Sequence, residues 1–214
     1  MAKTTAPLLG FGAAGQIGKA NVHASWKGIT YTRRYTIPAN PNTAGQQATR
    51  GAFAWLQAVW KIATADFQAP WTASVKGKPL TNRNQFSSQN VGTLRGATDL
   101  AGMIFSPGAS SGLAAAAIAV TPGAGQLSVA LTEPTLPAGW TIVEAVAVAI
   151  KDQNAQTDND YASFSATDNT APYACVITGL TAATLYRVGG WFKYDKGDGT
   201  FAYGPSLVSS GTPT

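Results

Sequence analysis

Cys175, His23 and ten carboxylates are the side chains of this 214-residue chain that could do chemistry, and their spacing assembles no reaction. One cysteine can form no intrachain disulfide. Cys175 lies in the apolar run YACVITGL, which predicts a buried thiol rather than a nucleophile. Zinc sites of known spacing need several Cys or His, so His23 is read as a packing or surface residue of a hairpin. Glu133 and Glu144 could be imagined as a glycosidase pair, but their neighbours give no cleft-forming pattern. The acidic stretches Asp152–Asp160 and Asp195–Asp198 lack the Asp ladder and distal Glu of a calcium loop, and are expected to be solvated.

Gly10 to Gly15 spells G-x-G-x-x-G. A dinucleotide loop needs a preceding strand, a following helix and an acid about 20 residues on. Here only nine residues precede the motif, position 30 is Thr, and the first acid is Asp66. A phosphate-binding loop fails too, because Gly18-Lys19 is followed by Ala20 and position 13 is Ala. The chain is expected to be non-enzymatic, with no cofactor and no metal. An enzyme would need a pocket gathering at least a pair of titratable side chains.

Charge points to binding instead. Charged residues make up 12% of the chain, against about 25% in a typical globular protein. A neutral polar surface of this kind suits a protein held in an assembly. The net charge of +5 is unevenly spread. Residues 1–113 hold 11 Lys and Arg against two acids, and residues 114–214 hold four against eight. That split predicts two modules. The basic residues are scattered rather than run together, which argues against nucleic acid. No apolar run reaches the roughly 18 residues of a membrane span, and the N-terminus is too weakly apolar for a secretory signal.

The elements that must position these residues are legible. Residues 1–15 read as an extended arm. Residues 16–26 alternate with period two, Lys27-Gly28 suits a tight turn, and ITYTRRYTI is β-rich, which predicts a hairpin ended by Pro38. Arg33 and Arg34 should point to opposite faces. Thr43 and Gln46 form a T-x-x-Q capping box that opens a long helix bearing Phe53, Trp55, Leu56, Val59, Trp60 and Ile62. Thr64 can cap a second, short helix containing Pro70, and Thr81 a third that Gly96 ends. Phe53, Trp60, Phe67, Trp71 and Phe86 are expected to share one aromatic core. Residues 106–117 are Pro/Gly/Ser/Ala-rich and read as a linker.

Seven strand-like runs follow, at 118–120, 126–131, 140–150, 161–165, 173–178, 185–194 and 201–208, which predicts a β-sandwich. Val146, Val148 and Ile150 alternate with Ala147 and Ala149, as in a half-buried strand. Gly179-Leu180 followed by Thr184-x-Tyr186 is similar to the tyrosine corner of a fibronectin type III domain, in which the Tyr hydroxyl bonds back to nearby backbone.

Asn40, Pro41, Thr43, Gln46, Arg50, Phe53, Trp71, Thr81, Asn84 and Phe86 form an ordered set, N-P-x-T-x-x-Q, R-x-x-F, a Trp-bearing helix and T-x-x-N-x-F. That set resembles a family of small phage-associated proteins. Trp26, Lys27, Gly28, Tyr31 and Arg33 look like the family's W-K-G and Y-x-R hairpin. The likeness covers residues 16–90. It implies a virion component, assembled in the host cytoplasm, and brings no catalytic residues.

The fold class expected is therefore an α+β N-terminal module (arm 1–15; hairpin and about three short helices, 16–105), a linker at 106–117, and an all-β immunoglobulin-like sandwich at 118–214. The function expected is a capsid decoration or minor head protein. The basic module would dock on the major capsid protein or other virion proteins, and the sandwich would be displayed. The alternative is a tail or baseplate component, or a host-surface adhesin. Phe11, Arg33, Arg34, Arg50, Lys76 and Lys78 are the docking candidates, and Phe53, Trp60, Trp71, Phe86 and Tyr186 the structural core. Open strand edges in the arm and hairpin suit a homo-oligomer.

Overall fold

The computed structural model describes residues 2–3, 14–37, 39, 42–108 and 113–214. Most of the arm, including Phe11, together with Asn40, Pro41 and residues 109–112, lies outside the described residues. The chain divides into two units, residues 1–43 and 44–214.

The first unit is an antiparallel sheet of β1 (Ala2–Lys3), β2 (Gly15–Ile17), β3 (Asn21–Trp26) and β4 (Ile29–Arg34), in the order β1-β4-β3-β2. The tight turn at Lys27-Gly28 forms as expected, with φ of 46° and 78°. Positive φ at both central positions is the hairpin turn that matches strand twist. The single strand expected over 16–26 is instead two strands. Gly18 and Lys19 adopt φ of 51° and 56°, and the Ala20 amide donates to the Ile17 carbonyl at 2.9 Å. Period-two alternation continues through such a turn, so the pattern alone could not reveal it.

The second unit opens with α1 (Ala44–Ile62), α2 (Ala65–Ser74) and α3 (Asn82–Leu94). Thr81 caps α3, its hydroxyl accepting from the Asn84 amide at 3.1 Å. Thr64 sits at the N-cap position of α2 but makes no side-chain cap bond. Pro70 lies inside α2 and is buried.

Eight strands follow: β5 (Ala117–Gly123), β6 (Gln126–Thr132), β7 (Thr141–Lys151), β8 (Ser163–Asp168), β9 (Ala174–Thr178), β10 (Tyr186–Asp195), β11 (Phe201–Tyr203) and β12 (Leu207–Gly211). One sheet runs β5-β6-β9. The other runs β11-β10-β7-β8, with β12 also paired to β10. The run expected at 201–208 is thus split, and Pro205, which has no amide to donate, falls in the break.

The linker and the domain boundary expected at 106–117 need correction. The helices and the sandwich are one unit, because β7 is buried on both faces. Ala145, Ala147 and Ala149 face the β5-β6-β9 sheet, with Leu127, Val129, Cys175, Ile177 and Phe192. Val146, Val148 and Ile150 face the helices, with Trp55, Leu56, Phe67, Phe86 and Trp191. Small residues point to one core and branched ones to the other, which a sequence pattern alone reads as half-buried. Within the segment read as linker, Ser106, Leu113 and Ala115 are buried. Ser106 Oγ donates to the Gly204 carbonyl at 2.7 Å, and the Ser206 amide donates to the Ser106 carbonyl at 3.1 Å.

Phe53 also needs correction: it is 50% exposed. The buried stripe of α1 is Ala52, Trp55, Leu56, Val59 and Trp60. At about 3.6 residues per turn, Phe53 lies roughly a quarter-turn from that stripe's centre. The other expected aromatics do meet. Phe86 stands 5.2 Å from Trp60, 5.6 Å from Phe67 and 5.2 Å from Trp71, ring to ring. Phe67 reaches across to Trp191 of β10 at 6.4 Å.

Candidate docking surface

β4 places Arg33 and Arg34 at the end of the first unit's sheet. Arg33 pairs in register with Val22 and Arg34 with Asn21, so the two point to opposite faces, and both are exposed. The face of Arg33 also carries Val22, Ala24, Trp26, Ile29 and Tyr31. Trp26 is 43% exposed, and the Lys27 ammonium lies 5.8 Å from its ring centre, within the range of a cation–π contact. The opposite face carries Ile17, Asn21, His23, Thr32 and Arg34. His23 is buried, and its Nδ1 is 2.8 Å from the Thr32 hydroxyl. It is a packing residue, as the hairpin reading expected. Beside it an open cleft of about 500 Å³ is lined by Gln16, Arg33, Arg34 and Tyr35.

Arg50, Lys76 and Lys78 are exposed but belong to the second unit. Lys76 joins Lys196, Thr200, Phe201 and Tyr203 around a cleft of about 330 Å³ between α2 and the β10–β11 hairpin. Burial pushes the Tyr203 phenol up from its ordinary value. Both clefts gather titratable groups, yet these are Lys, Arg and Tyr alone. The cations of either cleft can hold an anion or an aromatic edge. Among the described residues no three or more His, Cys, Asp or Glu side chains cluster.

Several contacts that hold the second unit together could not be read from the sequence. Asp152, at the start of the stretch read as a solvated acidic loop, forms an ion pair with Arg187 Nε at 3.1 Å and accepts the Leu100 amide at 2.8 Å. Asp99 approaches the same guanidinium at 3.4 Å. Asn90 clamps the chain after α3: its amide group donates to the Phe86 and Ile104 carbonyls and accepts from the Ile104 amide at 2.7 Å. Trp71 Nε1 donates to the Phe105 carbonyl at 2.8 Å. Phe105 is thereby fixed over Gly189 of β10, where a methyl group would overlap its ring. Only pairing across the fold reveals these partners.

Tyr186 fulfils its expected role. Its hydroxyl accepts the Thr181 amide at 3.0 Å, and its ring is buried. That corner, with crossovers that take β6 to β9 and β7 to β10, defines the class as an immunoglobulin-like β-sandwich. No protein-family profile matches the chain, and no curated protein matches it. Among solved structures it is similar to one described as a myokine structure, at 16% identity and a TM-score of 0.36, over 47% of this chain and 97% of that one. It is also similar to a computer-based redesign of a β-sandwich protein, at 15% identity and a TM-score of 0.33, over 47% of this chain and 88% of that one. Likeness at these levels says nothing of activity.

Proposed function

We propose that the protein is a non-enzymatic structural component of a bacteriophage virion, a capsid decoration or minor head protein. It docks through its basic first unit on acidic surfaces of the shell. The observation that carries this reading is where the charge sits. Residues 1–43 hold five Lys and Arg and no acid, whereas residues 44–214 hold ten of each. The whole net charge therefore belongs to the first unit, a narrower docking element than residues 16–105. The ordered N-P-x-T-x-x-Q and R-x-x-F set and the W-K-G hairpin support the virion assignment. Because the helices cover one face of the sandwich, the surface on display is the outer face of β5-β6-β9, where Val176 is 47% exposed.

The test is mass spectrometry of washed particles from a host carrying the phage, with copy number counted against the major shell protein. The expected result is a fixed ratio in heads. Absence from washed particles would end the virion reading, and recovery with isolated tails would end the decoration reading.

A further inference from the structure

We infer that the β2–β4 sheet of the first unit is a plug that seats in an acidic socket on a partner protein, one that covers both faces of the sheet rather than one. This deepens the docking half of the reading above and rests on it.

Three observations converge. The first is burial. Among the described residues of the first unit only His23 is buried, while Ile17, Trp26 and Ile37 stand 47%, 43% and 77% exposed. Domains near about 40 residues rarely bury enough apolar surface to stand alone. The second is geometry. Ile17 shares its face with Asn21, its register partner, while Trp26 lies on the other. Covering one face alone would leave the other exposed. The third is charge. Lys19 sits in the β2–β3 turn and Lys27 in the β3–β4 turn, at opposite ends of β3, and Arg33 and Arg34 point to opposite faces. Residues 1–43 contain no Asp or Glu.

The same placement decides the partner's class. A nucleic-acid strand is held by a positive groove that follows its backbone, with bases stacked on aromatics. Here the cations surround the sheet and form no track. A protein cavity with acidic walls and an apolar floor meets all of them at once. Complementary potentials of this kind speed encounter and fix register.

The experiment uses the full chain. Fluorescein-labelled poly-L-glutamate serves as the acidic probe, a labelled oligothymidylate of about 20 nucleotides as the rival. Light scattering reports self-association. Poly-L-glutamate should bind tighter than the oligonucleotide, and raising salt from about 50 to about 300 mM should weaken it at least about tenfold, since charge pairs are screened. The salt series needs no variant, so a misfolded substitution cannot hide the answer. The double change Arg33→Glu with Arg34→Glu should weaken binding by about tenfold or more, and Lys61→Glu in α1 by less than about twofold. Tighter oligonucleotide binding, salt-insensitive binding, equal loss in the Lys61 variant, or dimerisation that excludes the probe would each overturn the plug. Failure of these measurements with the protein present in heads removes the plug alone. Their success with the protein absent from particles removes the virion reading alone.

Discussion

Asp152 shows how much one side chain decides in this protein. It is 7% exposed, and it holds both Arg187 and the Leu100 amide. Removing it leaves Arg187 with only the half-exposed Asp99 and takes away the Leu100 amide's acceptor, so Asp152→Ala should lower the unfolding free energy by about 3 kcal/mol. Asp99, 45% exposed at 3.4 Å from the same arginine, should cost less than about 1 kcal/mol when replaced by Ala. Urea titration of both variants checks the contrast, and equal losses would refute it. Cys175 gives a pH signature. Burial pushes its thiol from an ordinary 9.0 up to about 12. Between those values the unfolded chain has lost a proton that the folded chain keeps. Stability is therefore full below about 9 and falls as pH rises through that window. Lys193, raised chiefly by its bond to Glu144, adds a decline of the same sign at higher pH. The urea midpoint should fall between about pH 8 and pH 10.5, and Cys175→Ala should flatten the fall. In the folded protein at neutral pH the thiol should resist a disulfide-exchange reagent, because only the thiolate attacks.

Helix propensity and packing give opposite answers at two glycines. Gly92 of α3 has nothing within 4 Å of where a methyl group would go. Gly92→Ala should raise stability by roughly 0.5–1 kcal/mol. Gly51 of α1 lies against the Gln156 backbone, which a methyl group would overlap. Gly51→Ala should therefore destabilise by about 1–3 kcal/mol despite the gain in propensity. Thermal melts of the pair decide it, and stabilisation at Gly51 would show that α1 does not rest on the β7–β8 connection. Gln156 itself donates to the Ala97 carbonyl at 2.9 Å, so that connection joins the helices to the sandwich.

Across residues 44–214 one apolar layer serves two structures. Trp191 is buried among the helices while its neighbour Phe192 is buried inside the sandwich. Helices and strands should therefore unfold together. Trp191→Ala should cost about 3–5 kcal/mol and shift helical and β-sheet probes by the same amount. Hydrogen exchange in α1 and in β7 should report one opening free energy, whereas a helical layer that opens first would contradict the shared core. Residues 1–43, with little of their described surface buried, should exchange fast until a partner covers them.

Turn residues, capping residues and local periodicity were enough to place the hairpin turn, the three helices, six of the seven sandwich strand runs and the tyrosine corner, because each is fixed by neighbours within a few positions. The same local evidence placed Cys175 in a buried strand position. It could not reveal that β7 is covered twice, that Phe53 lies off the buried stripe, or that Ser106, Leu113 and Ala115 of the stretch read as a linker are buried. Those depend on which distant surface arrives over each face, and that choice belongs to the folded chain as a whole. Charge was countable from composition. Its confinement to residues 1–43 became visible only when the fold placed the boundary after Thr43 instead of after the third helix.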